Sequence, residues 1–312
     1  MKWTLISVWA AACLAAASGA ATASNEVDTA CYSDPSTLCY RPVQARGRNF
    51  EGIHNPHYFK PLAELNDPTQ FERAWRANRG YILASLAHAA YLPNKEVRAL
   101  VFNLGGTVQY FDRDGRQAYL LSWPQRSILV FRGTQGSDPR DVLDDLKLDT
   151  VTFRNTRVHR GFMEATTELW ETFSLTEKLD QVSKRNPTAE LYVTGHSLGA
   201  AMAVIAAMLY PFRALVTFGQ PMVGTDIASA IPDSTQYLRV VNGADNVTAV
   251  PPRALGYQHA GKLVAISDAA GPAPPIGLTL INADHSIVNY ALVLRHRPDL
   301  VPGTDTTRAS AN

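Results

Sequence analysis

The order of apolar and polar positions divides the chain into short predicted strands and longer predicted helices. Short apolar stretches bounded by Gly, Asn or Asp are typical of strands. Two helical runs come first, one starting near Asp67 and one over Tyr81–Tyr91. Four short stretches then follow one another with turn signals between them and predict a meander: Val97–Phe102, Thr107–Phe111, Ala118–Ser122 and Ser127–Phe131.

The rest of the chain predicts longer helices separated by single strands. A helical run over about Phe162–Arg185 is closed by Asn186 and Pro187, which are typical helix-ending residues. The later elements are two strands, Tyr237–Val241 and Lys262–Ile266, and an apolar helix over Ile287–Leu294.

The stretch Leu191–Ala201 contains the strongest chemical signal. It predicts a short apolar strand, a tight turn and the start of a helix, with Gly195-x-Ser197-x-Gly199 at the turn. This is the spacing of a nucleophile elbow, in which a serine stands on a strained strand-to-helix turn. Side chains two positions on either side would collide with neighbouring backbone, so both flanks are glycine.

An elbow serine needs two converging donors for the oxyanion that forms when it attacks a carbonyl. The backbone N–H of Leu198, at the start of the helix, is the first candidate. The second is Thr134, which follows the predicted strand Ser127–Phe131 after Arg132 and Gly133. Each such donor is typically worth roughly 3–4 kcal/mol to a transition state.

The N-terminus has the pattern of a signal peptide. Residues 1–23 are mostly apolar, Lys2 supplies the positive end, and small residues at Ala21 and Ala23 favour cleavage before Ser24. A membrane anchor is less favoured because the run is short and rich in alanine. A lipid anchor at Cys13 is a weaker alternative, since the apolar run continues beyond it.

Composition indicates one globular domain and excludes some partners. The chain has 29 Lys and Arg against 28 Asp and Glu, and loss of Lys2 with the signal peptide brings the net charge near zero. There is accordingly no basic excess to suggest nucleic acid. With 46% hydrophobic and 18% charged residues, the mature chain is able to form a sizeable core.

Two cysteines remain after removal of the signal peptide. Cys31 and Cys39 close a small Pro- and Ser-containing loop, and in an exported chain a disulfide between them is the expected outcome. Free thiols are the alternative. A metal site is less favoured, because two sulfur ligands need further partners and only His54 and His57 are near in sequence.

Four motifs in a fixed order make the chain resemble a known family. They are Phe131–Thr134 (FRGT), Val158–Phe162 (VHRGF), Thr194–Gly199 (TGHSLG) and Thr217–Gly224 (TFGQPMVG). Over roughly residues 70–295 the chain resembles the class 3 lipase family of α/β-hydrolases, which includes secreted fungal triacylglycerol lipases and feruloyl esterases. The resemblance implies a cofactor-free serine ester hydrolase. Its α/β-hydrolase fold has a central, mostly parallel sheet flanked by helices and a short lid after the oxyanion strand.

The acid and the base are expected after the serine, in that order. The family's Asp-x-Val…Pro-Pro pattern matches at Asp245, just past the predicted strand Tyr237–Val241, and implies that Asp245 orients the base. An Asp-His pair before the last helix resembles the family's catalytic histidine and places that role on His285. The competing residues are Asp226, Asp233, His259 and His296.

The predicted lid departs from the pattern of the family's lipid-active members. Their lids tend to be apolar and often contain tryptophan, whereas the stretch 135–147 has no tryptophan. It carries six charged residues: Asp138, Arg140, Asp141, Asp144, Asp145 and Lys147. A lid that docks on oil should expose a broad apolar face. The substrate is therefore left open between a triacylglycerol, a soluble or feruloyl-type ester and a lysophospholipid or phospholipid.

These inferences together predict a secreted serine hydrolase with catalytic Ser197, Asp245 and His285, oxyanion donors Thr134 and Leu198, and no cofactor or metal. The predicted divisions are a signal peptide over 1–23, an N-terminal arm over 24–66, a hydrolase domain over 67–300 and a polar tail over 301–312. The expected partner is an ester or a lipid–water interface, with no nucleic acid and no membrane span in the mature chain. A non-catalytic binding protein with the same fold is the remaining alternative.

Overall fold

A computed structural model of the 312-residue chain describes residues 62, 65, 67–133, 149–243, 245–266 and 283–301. The predicted signal peptide, the loop of Cys31 and Cys39, the predicted lid and the tail beyond 301 lie outside the described residues. The predictions made for them stay predictions.

The described strands form two sheets. In chain order they are β1 (Thr107–Arg113), β2 (Arg116–Trp123), β3 (Arg126–Phe131), β4 (Thr150–Phe153), β5 (Thr156–His159), β6 (Glu190–His196), β7 (Ala214–Phe218), β8 (Gly224–Thr225), β9 (Gln236–Val241) and β10 (Lys262–Ala265). The main sheet has the order β1-β2-β3-β6-β7-β9-β10, and β4-β5-β8 form a small antiparallel sheet beside it. The first three strands of the main sheet pair antiparallel, and the pairs from β3 to β10 are parallel.

Helices cover both faces of the main sheet. They are α1 (Pro68–Ala77), α2 (Arg79–Ala89), α3 (Asn94–Asn103), α4 (Arg160–Thr172), α5 (Leu175–Arg185), α6 (Leu198–Leu209) and α7 (Ile287–His296). Because successive side chains of a strand point to opposite faces, β3 supplies both cores. Ile128 and Val130 pack with α1, α2, α3 and α7, whereas Leu129 and Phe131 pack with α4, α5 and α6. The layered α/β-hydrolase arrangement expected from the sequence is confirmed.

The predicted strand over Val97–Phe102 is wrong, since these residues lie in helix α3. Only Val97 and Val101 of this helix are fully buried, and Phe102 is exposed. That spacing of four residues is the helical period, but an apolar run this short does not distinguish a helix from a strand. The other three strands of the predicted meander, those over 107–111, 118–122 and 127–131, are confirmed as β1, β2 and β3.

The single long helix predicted over Phe162–Arg185 is also wrong. It is two helices, α4 and α5, separated at Phe173 and Ser174, where Ser174 takes a left-handed φ of 48°. Leu169 of α4 and Leu175 and Leu179 of α5 enter the same core. The apolar pattern therefore continues across the break and conceals it.

Helix α2 is buried on every side. It packs against α7 on one side and the sheet on the other, and all eleven of its residues are buried, His88 among them. Burial lowers the pKa of His88 from 6.5 to about 4 because the protein interior disfavours the charged ring. His88 is thus neutral in the folded protein at pH values where it is protonated in the unfolded chain.

We expect His88 to weaken the fold in acid. Between pH 6.5 and about 4 the unfolded state binds a proton at His88 and the folded state does not. The free energy of unfolding is therefore unaffected by His88 above pH 6.5 and falls as the pH drops towards 4. Over this pH interval the loss in the free energy of unfolding is about 3 kcal/mol. Urea unfolding of the wild type and His88→Leu at pH 7.5, 6, 5 and 4.5 measures this term. The variant should lose less stability on acidification, and equal slopes would contradict the assignment.

Candidate active site

The carboxyl ends of four parallel strands meet at one edge of the main sheet. At this edge β3 runs into Gly133, β6 into Ser197, β7 into Gly219 and β9 into the loop that contains Asp245. Ligand sites of open parallel sheets lie outside the carboxyl ends of the strands. The topology therefore brings together residues that are far apart in the sequence.

Ser197 stands on the strained turn that its motif predicts. Its φ and ψ are 58° and −127°, and it immediately precedes α6. A Cβ on Gly195 would lie 2.3 Å from the backbone oxygen of Gly199, and a Cβ on Gly199 would lie 2.3 Å from that of Phe131. The steric reason given for both glycines is confirmed. Leu198 is the first residue of α6, so its N–H belongs to the first turn and has no acceptor within the helix.

Asp245 and His285 form a buried pair at the same edge. Nδ1 of His285 lies 3.0 Å from both carboxylate oxygens of Asp245, and the two residues are 1% and 3% exposed respectively. The side-chain amide of Asn242 donates to the backbone oxygen of Asp284 at 3.0 Å, which ties the loop after β9 to the residue before the histidine. The structure thus brings together the acid and the histidine singled out in the sequence.

Two further donors surround the Asp245 carboxylate. The backbone N–H of Val247 donates to Oδ1 at 3.0 Å, and the hydroxyl of Tyr290 donates to Oδ2 at 2.6 Å. Burial, and then the charge of Asp245, hold the pKa of Tyr290 well above its usual value, so the hydroxyl keeps its proton. A carboxylate only accepts, so Nδ1 of His285 carries a proton and Nε2 of the neutral ring has a free lone pair.

Gly219 has no side chain, and its absence makes room for the pair of Asp245 and His285. It has a left-handed φ of 57°, and a Cβ there would lie 2.8 Å from Oδ2 of Asp245 and 2.8 Å from Nδ1 of His285. No functional role was predicted for it, although a glycine directly after the buried strand β7 was a visible signal. Tyr290 was missed because it lies in an apolar helix, where a tyrosine is usually a packing residue.

Two contacts place His285 next to the elbow. Its ring lies 4.5 Å, between centroids, from the ring of His196, the residue before the serine. The N–H of Ser197 donates to the backbone oxygen of Phe218, the residue before Gly219, at 3.1 Å. Thr134, the second predicted oxyanion donor, lies outside the described residues, and Gly133 immediately before it is the last described residue of that segment.

The competing residues lie elsewhere. Nε2 of His259 lies 2.7 Å from the backbone oxygen of Thr248, and His296 is exposed at the end of α7. Asp226 and Asp233 are exposed on either side of a short 3₁₀-helix, as expected of solvated residues.

Metal clusters and membrane-spanning helices are absent from the described residues. Within those ranges there is no group of three or more His, Cys, Asp or Glu side chains suited to hold a metal ion. No helix in the same part of the chain combines the length and the apolar character needed to cross a membrane.

The sequence around the site is similar to that of known lipases. Residues 128–255 match the lipase (class 3) family. A lipase of Rhizomucor miehei is 35% identical over 185 residues, covering 54% of this chain and 50% of that protein. The secreted mono- and diacylglycerol lipase 1 of Fusarium solani is 40% identical over 112 residues, covering 33% of this chain and 32% of that protein. The chain thus spans about half the length, or less, of these curated relatives.

A solved structure is similar to this chain in fold. A fungal lipase–inhibitor complex aligns with a TM-score of 0.50 and 25% identity, covering 69% of this chain and 94% of that one. The likeness extends beyond residues 128–255 and agrees with the layered fold described above.

Gly199→Ala should damage the elbow, because its Cβ would press on the backbone at the end of β3, which cannot turn aside as the end of a flexible side chain can. We expect a loss of about 3 kcal/mol in the free energy of unfolding, measured by urea denaturation. Gly161→Ala is the matched control, since its Cβ would meet only the side chain of His159, at 3.3 Å. Equal stability of the two variants would contradict the steric argument.

Tyr290→Phe removes one of the donors to the buried carboxylate and keeps the ring. A hydrogen bond to a charged group typically contributes roughly 1.5–3 kcal/mol, and we expect a loss of that size in urea unfolding at pH 7. Tyr210→Phe is the control, because its hydroxyl donates to Asp180 at the partly exposed surface and should contribute less. A larger loss in the free energy of unfolding for Tyr210→Phe than for Tyr290→Phe would contradict this prediction.

Proposed function

We infer from the match of residues 128–255 to the lipase (class 3) family that this chain is a serine hydrolase of carboxylic esters, with acylglycerols as substrates. One observation carries the proposal. The hydrogen-bonded pair of Asp245 and His285 lies at the same sheet edge as Ser197, next to the elbow. A serine, a histidine and an acid held in this order constitute the triad of acyl-transfer enzymes.

In the proposed mechanism Nε2 of His285 takes the hydroxyl proton of Ser197 while Oγ attacks the ester carbonyl. Asp245 holds the imidazole in the required tautomer and offsets the charge of the imidazolium. The tetrahedral intermediate collapses, the protonated His285 gives its proton to the leaving alcohol, and an acyl-Ser197 ester remains. Water, deprotonated by His285, then attacks this ester; His285 returns that proton to Oγ of Ser197 as the carboxylic acid leaves.

The N–H of Leu198 is one donor to the oxyanion in this proposal. Its position at the start of α6 supports the assignment, because the first N–H groups of a helix and its dipole favour negative charge. Thr134 is the second proposed donor. Its support is the sequence motif and the place of Gly133, which follows β3 beside the elbow.

Acylglycerols are proposed because the relatives are named lipase or mono- and diacylglycerol lipase. Export from the cell is proposed as well, since several relatives are named secreted and the N-terminus has the pattern of a signal peptide. The predicted disulfide between Cys31 and Cys39 fits such a destination.

Dissolved esters are the second candidate substrate. The six charged residues in the stretch 135–147 favour them, because a charged lid presents little apolar surface to an oil droplet. The two substrate classes differ in how the rate responds to an interface.

Hydrolysis by the mature protein tests the proposal. Wild type and Ser197→Ala are assayed on p-nitrophenyl butyrate in solution and on emulsified mono-, di- and triolein. We expect the wild type to be active and Ser197→Ala to lose at least about 1,000-fold in kcat. Ser229→Ala, at an exposed serine on a 3₁₀-helix, should match the wild type.

The outcomes separate the candidates. Faster hydrolysis of emulsified acylglycerols than of dissolved esters supports the lipase, and the reverse supports the soluble esterase. An active Ser197→Ala would overturn the assigned nucleophile. A wild type that cleaves no ester would leave a binding protein with this fold.

A further inference from the structure

A chain of hydrogen bonds passes through His196, the residue that precedes Ser197. Its members are two buried side chains, Tyr91 after α2 and His196 at the end of β6, which are 8% and 1% exposed. The hydroxyl of Tyr91 lies 2.9 Å from Nδ1 of His196, and Nε2 of His196 lies 2.6 Å from the backbone oxygen of His285. Neither Tyr91 nor His196 takes part in the mechanism above.

The partners of His196 determine the direction of each hydrogen bond. A backbone oxygen only accepts, so Nε2 of His196 carries a proton and donates it to the oxygen of His285. In the neutral ring Nδ1 is then an acceptor, and the hydroxyl of Tyr91 donates to it. Burial raises the pKa of Tyr91, which keeps this hydroxyl protonated. With a neutral His196 ring, this is the one arrangement of protons that satisfies both hydrogen bonds.

Tyr91 also contacts the end of β3. A Cβ on Gly133 would lie 2.1 Å from the hydroxyl oxygen of Tyr91 and 2.7 Å from the backbone oxygen of His196, and the backbone N–H of Gly133 donates to the tyrosine oxygen. Gly133 is the neighbour of Thr134, just as His196 is the neighbour of Ser197. One buried chain thus reaches the strand end before the proposed oxyanion donor, the elbow and the backbone of the proposed base.

We propose that Tyr91 and His196 are positioning residues. They hold three segments in the relative positions that catalysis needs: the end of β3 at Gly133, the turn at Ser197 and the backbone of His285. The inference rests on the proposed function. An aromatic hydrocarbon ring in either place would fill the same space, whereas this pair uses directional hydrogen bonds to three separate segments. Catalysis is sensitive to these positions, because a misplacement of about 1 Å costs on the order of 100-fold in rate.

Tyr91→Phe tests the proposal with the smallest change, since it keeps the ring and removes the hydroxyl. On dissolved p-nitrophenyl butyrate we expect kcat to fall about 10- to 100-fold with KM within twofold. The rate of inactivation by a phosphonate ester, which reports the attack of Ser197, should fall in parallel. Tyr192→Phe is the matched control. It removes the hydroxyl of another buried tyrosine, one bonded to Glu190 at the end of β6 opposite to His196, and should leave kcat unchanged.

Variants of His196 supply a rescue. His196→Leu keeps the volume and loses both hydrogen bonds, whereas the amide of His196→Gln is able to donate to the backbone oxygen of His285. We expect His196→Gln to retain at least tenfold more kcat than His196→Leu. Thermal unfolding of every variant separates misplacement of the three segments from loss of fold, and if His196→Leu does not fold, Tyr91→Phe decides.

The proposal is overturned if Tyr91→Phe keeps the kcat of the wild type, or if it lowers kcat no more than Tyr192→Phe does. Equal kcat values for folded His196→Gln and His196→Leu would also overturn it. Failure of the proposed function gives a different result, because the wild type would then react with no phosphonate ester. A wild type that is labelled once per chain, together with a fully active Tyr91→Phe, rejects only the positioning role.

Discussion

The buried carboxylate of Asp245 is the constraint on which the site depends. A charged group this far from solvent is very unfavourable unless donors surround it. Those donors are Val247 in its own loop, Tyr290 on α7 and the ring of His285. Because two of the three come from the C-terminal segment, hydrogen bonding of the carboxylate and docking of that segment on the sheet are one event. Gly219 completes the arrangement by leaving free the space where the two side chains meet.

Much of this arrangement was predictable because it depends on local rules. The turn at Ser197 needs glycines at fixed spacing, and an orienting acid follows the end of a parallel strand, so Ser197 and Asp245 were visible in the sequence. His285 was selected by resemblance to the family, and the structure gives it a physical reason, the contact with Asp245. Thr134, Leu198 and the catalytic roles themselves remain predictions.

The rest was not predictable because it depends on tertiary contacts. Helix α3 was mistaken for a strand since its few apolar residues fit either period, and the break at Ser174 was hidden because α4 and α5 share a core. In the sequence Tyr91 and Tyr290 fall in apolar helical runs, where a tyrosine is usually a packing residue, and only the fold reveals what their hydroxyls bond. Both lie outside residues 128–255, the stretch that matches the family, so the sequence most typical of the family contains only part of the site.

The packing of α2 against α7 has a consequence for the order in which the molecule acquires its chemistry. A ribosome makes the elbow about 90 residues before the histidine, since 285 − 197 = 88. In the proposed mechanism a nascent chain would thus have its nucleophile before its base. His285 lies just before α7, and α7 packs against α2, the second helix of the described residues. If the proposed mechanism holds, esterase activity reports completion of the fold. A chain truncated before α7 would then contain Ser197 and His285 but hydrolyse no ester.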